Sequence, residues 1–216
     1  MEGRVAVSFL DGLEEAGAVG IIRTKRPETA VTTGLVLAEG GMSILEVTFT
    51  VPGAVQVITK LRAELPGVLI GAGTITTAKD VAAAKAAGAE FLVSPGCTED
   101  LLGSMMQSGL PFLPGVSSPS ELLMAKEAGA DVLKLFPAGL LGPDYLRQLR
   151  GPFPDVALVP TGGVQIEHVS DFLRAGALAV GLSSPLCSEA DIEERRWDSV
   201  LERVSQLRGA VFDVRG

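Results

Sequence analysis

The 216-residue sequence predicts an α/β fold, a single (β/α)8 (TIM) barrel with an extra N-terminal helix, from three observations. Short runs rich in Val, Ile and Leu recur eight times along the chain. Their first residues lie about 20 to 26 positions apart, which is room for one strand, one helix and two short loops. Alanine-rich helical segments separate the runs, so strands and helices alternate throughout.

The eight runs are short and continuously apolar, as expected of parallel strands that are covered on both faces. Such runs are typical of the inner layer of an α/β fold. They are AVGIIR (18–23), ILEVTF (44–49), LIGAGT (69–74), FLVSPG (91–96), PFLPGV (111–116), VLKLFP (132–137), ALVPTG (157–162) and AVGLSS (179–184).

The segments between the runs carry signals for the start and end of helices. PETAVTTGLVLAEGG (27–41) places apolar residues on one face and closes with glycine. Thr77 is a candidate N-cap, and Ser118 with Glu121 three residues later has the pattern of a capping box. A further segment ends at Gly176. These signals predict a helix after each strand.

A doubly wound sheet is the alternative architecture. It would more often show five or six strands and a glycine-rich turn after the first. The first run here continues as IIRTKRP (21–27), which is no dinucleotide-binding fingerprint. An additional helix over about residues 1–17 is predicted to close the bottom of the barrel. No linker rich in Pro or Ser divides the chain, so one domain spanning 1–216 is expected.

Composition and charge exclude several classes of protein. The net charge of −8 disfavours nucleic acid and anionic membranes as partners, because both require a basic surface. No apolar stretch reaches about 18 residues, so no membrane span is expected. The N-terminal residues lack the apolar core and cleavage site of a signal peptide. We therefore expect a cytoplasmic protein that binds a small molecule.

The metal-binding residue types are too few and too scattered for a metal centre. Cys97 and Cys187 form no CxxC motif and are expected to be free, buried thiols. His168 is the single histidine, and it falls in the helix after the seventh run, where a surface position is expected. The sequence therefore predicts neither a disulfide framework nor a metal site.

Active sites of (β/α)8 barrels lie at the carboxyl ends of the strands. The residues that the eight runs place there include three ionisable side chains, Arg23, Glu46 and Lys134. The full set is Arg23, Glu46, Thr48, Thr74, Ser94, Pro95, Lys134, Phe136, Thr161, Gly162, Gly163, Ser183 and Ser184.

Lys134 stands within an apolar run, although lysine is rarely fully buried. It is the single lysine in a strand-like run. Burial disfavours the charged ammonium form and thereby makes the free amine available as a nucleophile. An amine facing a ketone forms a carbinolamine and then an imine, which draws electrons from the adjacent carbon–carbon bond. The alternative is a structural ion pair with Glu46.

Glu46 stands alone in ILEVTF, and a carboxylate in an apolar run is costly unless it is paired or used. Imine chemistry needs proton transfers at several steps, which a nearby carboxyl group can supply. A role limited to orienting Lys134 is the other reading of the same residue.

The loops after strands seven and eight frequently bind phosphate in this fold. Gly162 and Gly163 allow the backbone to approach an anion and point N–H groups at it. Ser183 and Ser184 offer hydroxyl donors and are predicted to open a short helix. A pair of glycines alone would more often be a plain turn.

GAGT (71–74) ends the third run with a hydroxyl group and two flexible residues. Thr74 and neighbouring amides are therefore candidates to hold a carboxylate. A tight strand-to-helix turn is the alternative explanation.

Seven motifs together resemble the family of 2-keto-3-deoxy-6-phosphogluconate (KDPG) aldolases and 4-hydroxy-2-oxoglutarate (KHG) aldolases. The resemblance runs from about residue 15 to residue 187. The motifs are LEVTF, GAGT, VSPG, FLPGV, LKLFPA, GPFPDV and VPTGGV, in the order and spacing of that family.

The resemblance implies a metal-independent class I aldolase on a (β/α)8 barrel, usually a homotrimer. It makes Lys134 the Schiff-base lysine and Glu46 the general acid and base, and no cofactor is implied because the imine is itself the electron sink. The remaining substrate-binding residues that it implies are Thr74 for the pyruvate carboxylate, Pro95 and Phe136 for the pocket wall, and Gly162, Gly163 and Ser184 for the phosphate. Thr161 and Ser183 stand beside them in the same motifs.

The sequence departs from the family pattern at two positions. Many family members have an arginine four residues after the glutamate, where this chain has Thr50. Our hypothesis is that Arg23, at the end of the neighbouring first strand, supplies the missing guanidinium to the substrate carboxylate. Ser183 stands where glycine is common in the family, which leaves the distal group of the substrate open.

Rival substrates within the aldolases and two other functional classes remain open at this stage. Within the aldolases, the rivals to KDPG are 4-hydroxy-2-oxoglutarate and the galactonate-derived isomer of KDPG. A phosphosugar isomerase or synthase on a similar barrel has no need of a nucleophilic lysine. A binding protein without catalytic activity would not require the pair of Lys134 and Glu46.

Overall fold

The strands follow the eight apolar runs. The computed structural model describes residues 9–216, and every predicted run contains a strand. Within those residues the strands are β1 (Ala18–Ile22), β2 (Ile44–Thr48), β3 (Leu69–Gly73), β4 (Leu92–Val93), β5 (Phe112–Leu113), β6 (Gly115–Val116), β7 (Val132–Leu135), β8 (Ala157–Pro160) and β9 (Val180–Leu182).

The fifth run, residues 111–116, forms two short strands, β5 and β6, instead of the single strand expected. Pro114 separates them, because proline has no backbone N–H to donate to a neighbouring strand. The carbonyl of Pro114 still accepts a hydrogen bond of 3.0 Å from the backbone N–H of Lys134. This bond keeps the interrupted run beside β7.

Helices occupy the segments between the strands. The part of the predicted N-terminal helix that falls on residues 1–8 lies outside the described residues, and its remainder is α1. The helices are α1 (Phe9–Ala16), α2 (Pro27–Glu39), α3 (Ala54–Glu64), α4 (Ala78–Ala86), α5 (Glu99–Gln107), α6 (Pro119–Glu127), α7 (Ala138–Arg150), α8 (Val169–Arg174), α9 (Glu189–Glu193) and α10 (Trp197–Arg215), with a short 3-10 helix at Ile166–His168 before α8. None of these helices combines the length and apolar character that crossing a bilayer requires.

The predicted caps are present, with one difference. The Thr77 hydroxyl accepts a hydrogen bond from the backbone N–H of Asp80, and the backbone N–H of Thr77 donates the reciprocal bond of a capping box to the Asp80 carboxylate. Ser118 caps α6 by accepting from the N–H of Glu121 at 3.4 Å. The Glu121 carboxylate accepts from the backbone N–H of Ser117 at 2.7 Å, one residue earlier than the capping-box pattern predicts.

The strands form two sheets in which every pairing is parallel. One sheet has the order β5-β4-β3-β2-β1-β9 and the other has the order β6-β7-β8. Two contacts join β8 to the β9 region. The N–H of Leu178 donates to the carbonyl of Leu158 at 2.8 Å, and Thr161 forms a parallel bridge with Gly181. The predicted α/β class is confirmed, and the strands present their carboxyl ends together.

Two apolar clusters make up the core. The larger one packs the strands against the helices. In the smaller one, Leu13 of α1 is fully buried, and the rings of Phe9 and Phe91 lie 5.1 Å apart. Its other members come from or just before the strands, namely Val19, Ile44, Phe91, Val93, Leu113, Val132, Val159 and Ala179. α1 therefore packs against residues of the strands.

Candidate active site

A cavity of about 1110 Å³ opens where β1, β7, β8 and β9 end. Eight residues that the sequence analysis placed at the carboxyl ends of strands line it together with the loops that follow. They are Arg23, Lys134, Phe136, Thr161, Gly162, Gly163, Ser183 and Ser184. The structure thus gathers residues from four separate strands around one opening, as expected of a parallel barrel-like scaffold.

Lys134 projects from β7 and lies at the wall of this cavity. Only 7% of its side chain is exposed. The Nζ atom lies 3.9 Å from Oε1 of Glu46 and 5.4 Å from the centre of the Phe136 ring. Burial of an amine away from water is one of the ways in which proteins make a lysine nucleophilic.

Glu46 projects from β2, and its side chain is 3% exposed. Its Oε1 atom has no hydrogen-bond partner among the described residues, and 3.9 Å to Lys134 is longer than a hydrogen bond. Gly73 makes room for the carboxylate, since a Cβ atom at that position would overlap it. A buried carboxylate oxygen without a donor costs about 1 to 3 kcal/mol, and it is available to exchange a proton with a bound molecule.

The turn after β8 needs both of its glycines. Gly162 and Gly163 have φ angles of 84° and 78°, in the left-handed region that favours glycine. A Cβ atom on Gly162 would also lie 2.6 Å from the Phe136 ring. The carbonyls of Thr161 and Gly162 accept bonds of 2.8 Å from the start of α7, at Ala138 and Gly139. The turn is therefore held in one shape beside Lys134.

Ser183 and Ser184 lie in a turn after β9, and the prediction that they open a short helix is wrong. The carbonyl of Ser183 accepts from the N–H groups of Leu186 and Cys187, at 2.9 and 3.1 Å. The short helix α9 begins only at Glu189, because Ser188 takes the N-cap position in a capping box. Both serines nevertheless line the cavity, as expected.

Three of the residues predicted to be catalytic or to bind the substrate lie outside the set that lines the cavity. Glu46 lies behind Lys134, in contact with its amine. Thr74, directly after β3, is partly exposed and has a positive φ of 56°. Pro95 follows the short strand β4. Its carbonyl lies close to Gly115, where a Cβ atom would overlap the Pro95 carbonyl oxygen.

The sequence analysis did not identify four charged residues that also line the cavity. They are Lys25 and Arg26 from the loop after β1, and Glu189 and Glu193 from α9. Lys25 and Glu189 form an ion pair of 2.6 Å that joins the two segments. The hydrogen bond to Glu189, and then the charge of that carboxylate, raises the pKa of Lys25. The signal in the sequence was RTKR (23–26), a basic cluster in an acidic chain.

A buried charge cluster supports the turn that carries the two serines. The Asp191 side chain is 4% exposed and accepts hydrogen bonds from the Ser188 hydroxyl at 2.6 Å, from Arg196 Nε at 3.0 Å and from Arg203 Nη2 at 2.6 Å. Burial on its own would raise the pKa of Asp191. The hydrogen bonds from Ser188 and Arg196 and the charge of Arg203 outweigh burial and hold the pKa below its usual range.

We expect Asp191→Asn to destabilise the protein at pH 7, on the order of 3 kcal/mol, because it leaves two arginines without their buried partner. The folded-state pKa of Asp191 lies below the unfolded value, so its stabilising contribution is full above about pH 4 and is lost as the pH falls through the folded pKa. The difference between wild type and variant should therefore shrink below pH 4. Urea unfolding from pH 7 to pH 3 measures it.

Asp171→Asn is the matched control for this prediction. Asp171 pairs with Arg174 on α8, but both side chains are 59% exposed. Exposed pairs contribute about 0 to 1 kcal/mol, so this variant should unfold like wild type at every pH. An Asp191→Asn variant that loses no stability at pH 7 would contradict the predicted role of the cluster.

The remaining reactive side chains lie where the sequence predicted, with one difference. Cys97 and Cys187 are free, as expected, but half-buried instead of fully buried. Burial raises the pKa of both thiols. His168 is exposed, in the short 3-10 helix before α8, which confirms the predicted surface position. Among residues 9–216, no three His, Cys, Asp or Glu side chains are grouped as metal ligands would be.

Fold and site together define a class of enzyme, a lyase on a parallel α/β scaffold with a buried lysine at its cavity. Comparison with protein families makes this specific. The profile of the KDPG and KHG aldolase family matches residues 10–203, a wider span than the motifs alone covered. The chain belongs to the KDPG and KHG aldolase family.

Two relatives and one solved structure, all aldolases by name, are similar to this chain over most of their length. The 2-dehydro-3-deoxy-phosphogluconate aldolase of Pseudoalteromonas atlantica is 36% identical over 201 residues, which cover 93% of this chain and 94% of the relative. That of Pseudomonas aeruginosa is 38% identical over 194 residues, covering 89% and 87%. A crystal structure of KDPG aldolase from Legionella pneumophila, with pyruvate captured as a covalent carbinolamine, superposes with a TM-score of 0.84 at 33% identity, covering 90% of this chain and 95% of that one.

Proposed function

We propose that this protein is a class I aldolase that cleaves 2-keto-3-deoxy-6-phosphogluconate to pyruvate and glyceraldehyde 3-phosphate. The observation that carries the proposal is the buried amine of Lys134 at the cavity wall, 3.9 Å from the carboxylate of Glu46. The aldolases of this family, including one captured as a carbinolamine of pyruvate, support the same chemistry. Cleavage of 4-hydroxy-2-oxoglutarate to pyruvate and glyoxylate is a second activity of the same site.

Lys134 begins the reaction as the nucleophile. Its amine adds to the C2 ketone of the substrate, and loss of water from the carbinolamine gives an imine next to the substrate carboxylate. When the proton leaves the C4 hydroxyl, the C3–C4 bond breaks, and its electron pair moves into the imine to form an enamine. The aldehyde departs, C3 takes up a proton, and water hydrolyses the resulting imine to release pyruvate and the free lysine.

Glu46 moves the protons in this scheme. It accepts the proton of the C4 hydroxyl and returns a proton to C3 of the enamine. Its position within 4 Å of the amine, and its Oε1 atom without a protein donor, both support this role. The Phe136 ring, which also lines the cavity, lies 5.4 Å from the same amine.

The far side of the cavity is suited to the phosphate group. The turn at Gly162 and Gly163 brings backbone close to the opening, and Ser183 and Ser184 add hydroxyl donors. Thr161 stands at the start of the same turn, with 5% of its surface exposed. We assign the carboxylate end of the substrate to Arg23, Thr74 and Pro95, which follow β1, β3 and β4.

Arg23→Ala should raise the KM for the keto acid about tenfold and leave kcat less affected, because a charged hydrogen bond contributes about 1.5 to 3 kcal/mol. Arg23 is exposed at the cavity and follows β1, which pairs with the strand of Glu46. Thr50, where many relatives have arginine, lines the same cavity. Steady-state kinetics of pyruvate release measure the effect.

Arg26→Ala is the matched control, since Arg26 lies in the same loop and at the same cavity. A general loss of positive potential would affect both variants equally, whereas a guanidinium aimed at the carboxylate affects Arg23→Ala more. An unchanged kcat/KM in Arg23→Ala would reject this role.

We also propose that the two sheets close into one eight-stranded (β/α)8 barrel, with β5 and β6 as halves of a single strand and the N-terminal helix closing its bottom. The bond from Leu178 to Leu158 and the bridge of Thr161 with Gly181 support closure on one side. The bond from Lys134 to Pro114 supports it on the other. Burial of Leu13 among residues of the strands supports the position of the helix.

We also propose a homotrimer, the assembly that the family resemblance implies, and a cytoplasmic location, as expected from the sequence. Light scattering coupled to gel filtration measures the mass of the assembly directly.

The substrate proposal is tested with a panel of 2-keto-4-hydroxy acids. Pyruvate release is measured from KDPG, from its galactonate-derived isomer and from 4-hydroxy-2-oxoglutarate. We expect the highest kcat/KM for KDPG. A higher value for the galactonate-derived isomer would reassign the stereochemistry, and no release from any keto acid would favour a phosphosugar enzyme of another class.

A further inference from the structure

We propose that Arg203 and Asp191 are positioning residues for the phosphate end of the substrate, because together they hold the turn that carries Ser183 and Ser184. The inference rests on the proposed function, since it takes a phosphorylated substrate. Neither side chain lines the cavity, so both act through the turn.

Backbone hydrogen bonds join the first residue of the turn, Ser183, to Leu186 and Cys187. The carbonyl of Ser183 accepts from the N–H groups of Leu186 and Cys187. The side chain of Leu186 is fully buried in the main core. The position of Ser183 and Ser184 relative to the cavity therefore depends on where Leu186 is held.

Arg203 holds Leu186 from the final helix, α10. Its Nε atom donates to the Leu186 carbonyl at 2.9 Å, and its Nη2 atom donates to Asp191 Oδ2 at 2.6 Å. A planar guanidinium can make both bonds at once in a fixed geometry, which a lysine cannot do. One side chain thus links the turn to the helix that follows it.

Asp191 holds the other side of this guanidinium. Its carboxylate also accepts from the backbone N–H of Ser188 at 2.8 Å, and so caps α9 immediately after the turn. Arg196 adds a further bond to the same carboxylate. The turn is therefore clamped at Leu186 and at Ser188 by one charged network around the buried Asp191 carboxylate.

Loss of this clamp should affect the two ends of the substrate differently. Lys134 and Glu46 lie on β7 and β2, and the hydrogen bonds of the network described above reach neither strand, so the steps at the keto group stay intact. Ser183 and Ser184 would shift, and displacement by about 1 Å is enough to weaken a positioned contact strongly. The expected result is a higher KM for substrates that carry phosphate and an unchanged KM for substrates that lack it.

The experiment compares KDPG with the unphosphorylated 4-hydroxy-2-oxoglutarate in the full-length protein. Arg203→Met should raise the KM for KDPG about tenfold, while the KM for the unphosphorylated acid and both kcat values stay within about twofold. Arg203→Lys should give an intermediate KM, because it restores one of the two bonds. Asp191→Asn should raise the same KM in the same selective way.

Arg208→Met is the matched control. Arg208 lies on the same helix and also donates to a backbone carbonyl, that of Gly40 at 3.4 Å, but not at the cavity. Its kinetics should match wild type for both substrates. Thermal unfolding of all variants shows whether enough folded protein is present for the comparison.

Equal changes in KM for the two substrates, or no change in any of the Arg203 and Asp191 variants, would overturn the inference. A wild-type protein with no preference for the phosphorylated substrate would instead reject the proposed function. In that case inorganic phosphate, as a competitive inhibitor, tests the clamp directly. A tenfold weaker inhibition in Arg203→Met, of about 1.4 kcal/mol, supports it, and equal or absent inhibition overturns it.

Discussion

Lys134→Met is expected to lower kcat for pyruvate release by at least about 10⁴-fold, because removal of a covalent nucleophile leaves no route to the imine. Methionine has a similar length and suits a side chain that is 7% exposed, so the strand should keep its packing. The variant should still bind the substrate, since the predicted phosphate and carboxylate contacts are intact. The loss therefore falls on kcat and not on KM.

Borohydride reduction in the presence of pyruvate gives a second readout of the same prediction. The imine is reduced to a stable amine, and mass spectrometry of the digested protein should find the adduct on the peptide that contains Lys134. Lys79→Met is the control, because Lys79 is exposed on α4. It should trap pyruvate like wild type. An adduct that persists in Lys134→Met, or that lies on another lysine of the wild type, would contradict the mechanism.

The sequence alone was sufficient to find the strands and the lysine, because both depend on local patterns. Each strand is a short apolar run, buried on both faces, and such runs can be recognised without knowing their neighbours. Lys134 stood out for the same reason, as a charge in an apolar run. The two glycines of PTGG (160–163) predicted a backbone able to approach an anion closely, with a plain turn as the alternative, and their positive φ angles explain why glycine is favoured there.

Features that depend on distant contacts could not be predicted in the same way. The ion pair of Lys25 with Glu189 joins residues that are far apart in the sequence, and nothing local to either one indicates the partner. The hydrogen bond from Arg203 to the Leu186 carbonyl could not be predicted either, because nothing in the sequence distinguishes Arg203 from the arginines that are exposed on helix surfaces. The start of α9 was misplaced because Ser184 and Ser188 both have residue types that can cap a helix.

Glu46→Gln is expected to lower kcat about 10²- to 10⁴-fold, the contribution typical of general acid–base catalysis, with a smaller effect on KM. Glutamine has the same shape and can still hydrogen-bond, but it cannot accept a proton. The exchange of pyruvate methyl hydrogens with deuterated water isolates the step, because it requires only imine formation and proton transfer at C3. Exchange should slow by a factor similar to that of cleavage.

The stability of Glu46→Gln separates this role from a structural one. If Glu46 served to anchor Lys134 in the fold, its replacement would destabilise the protein, as breaking a buried pair usually does. The present geometry argues otherwise, since Oε1 has no hydrogen-bond partner and lies 3.9 Å from the amine. Removing a buried charge that is so poorly paired should leave the melting temperature equal or higher, as is common where an active site sacrifices stability for activity. A variant that loses stability but keeps its exchange rate would show that Glu46 is a structural partner of Lys134 instead of the base.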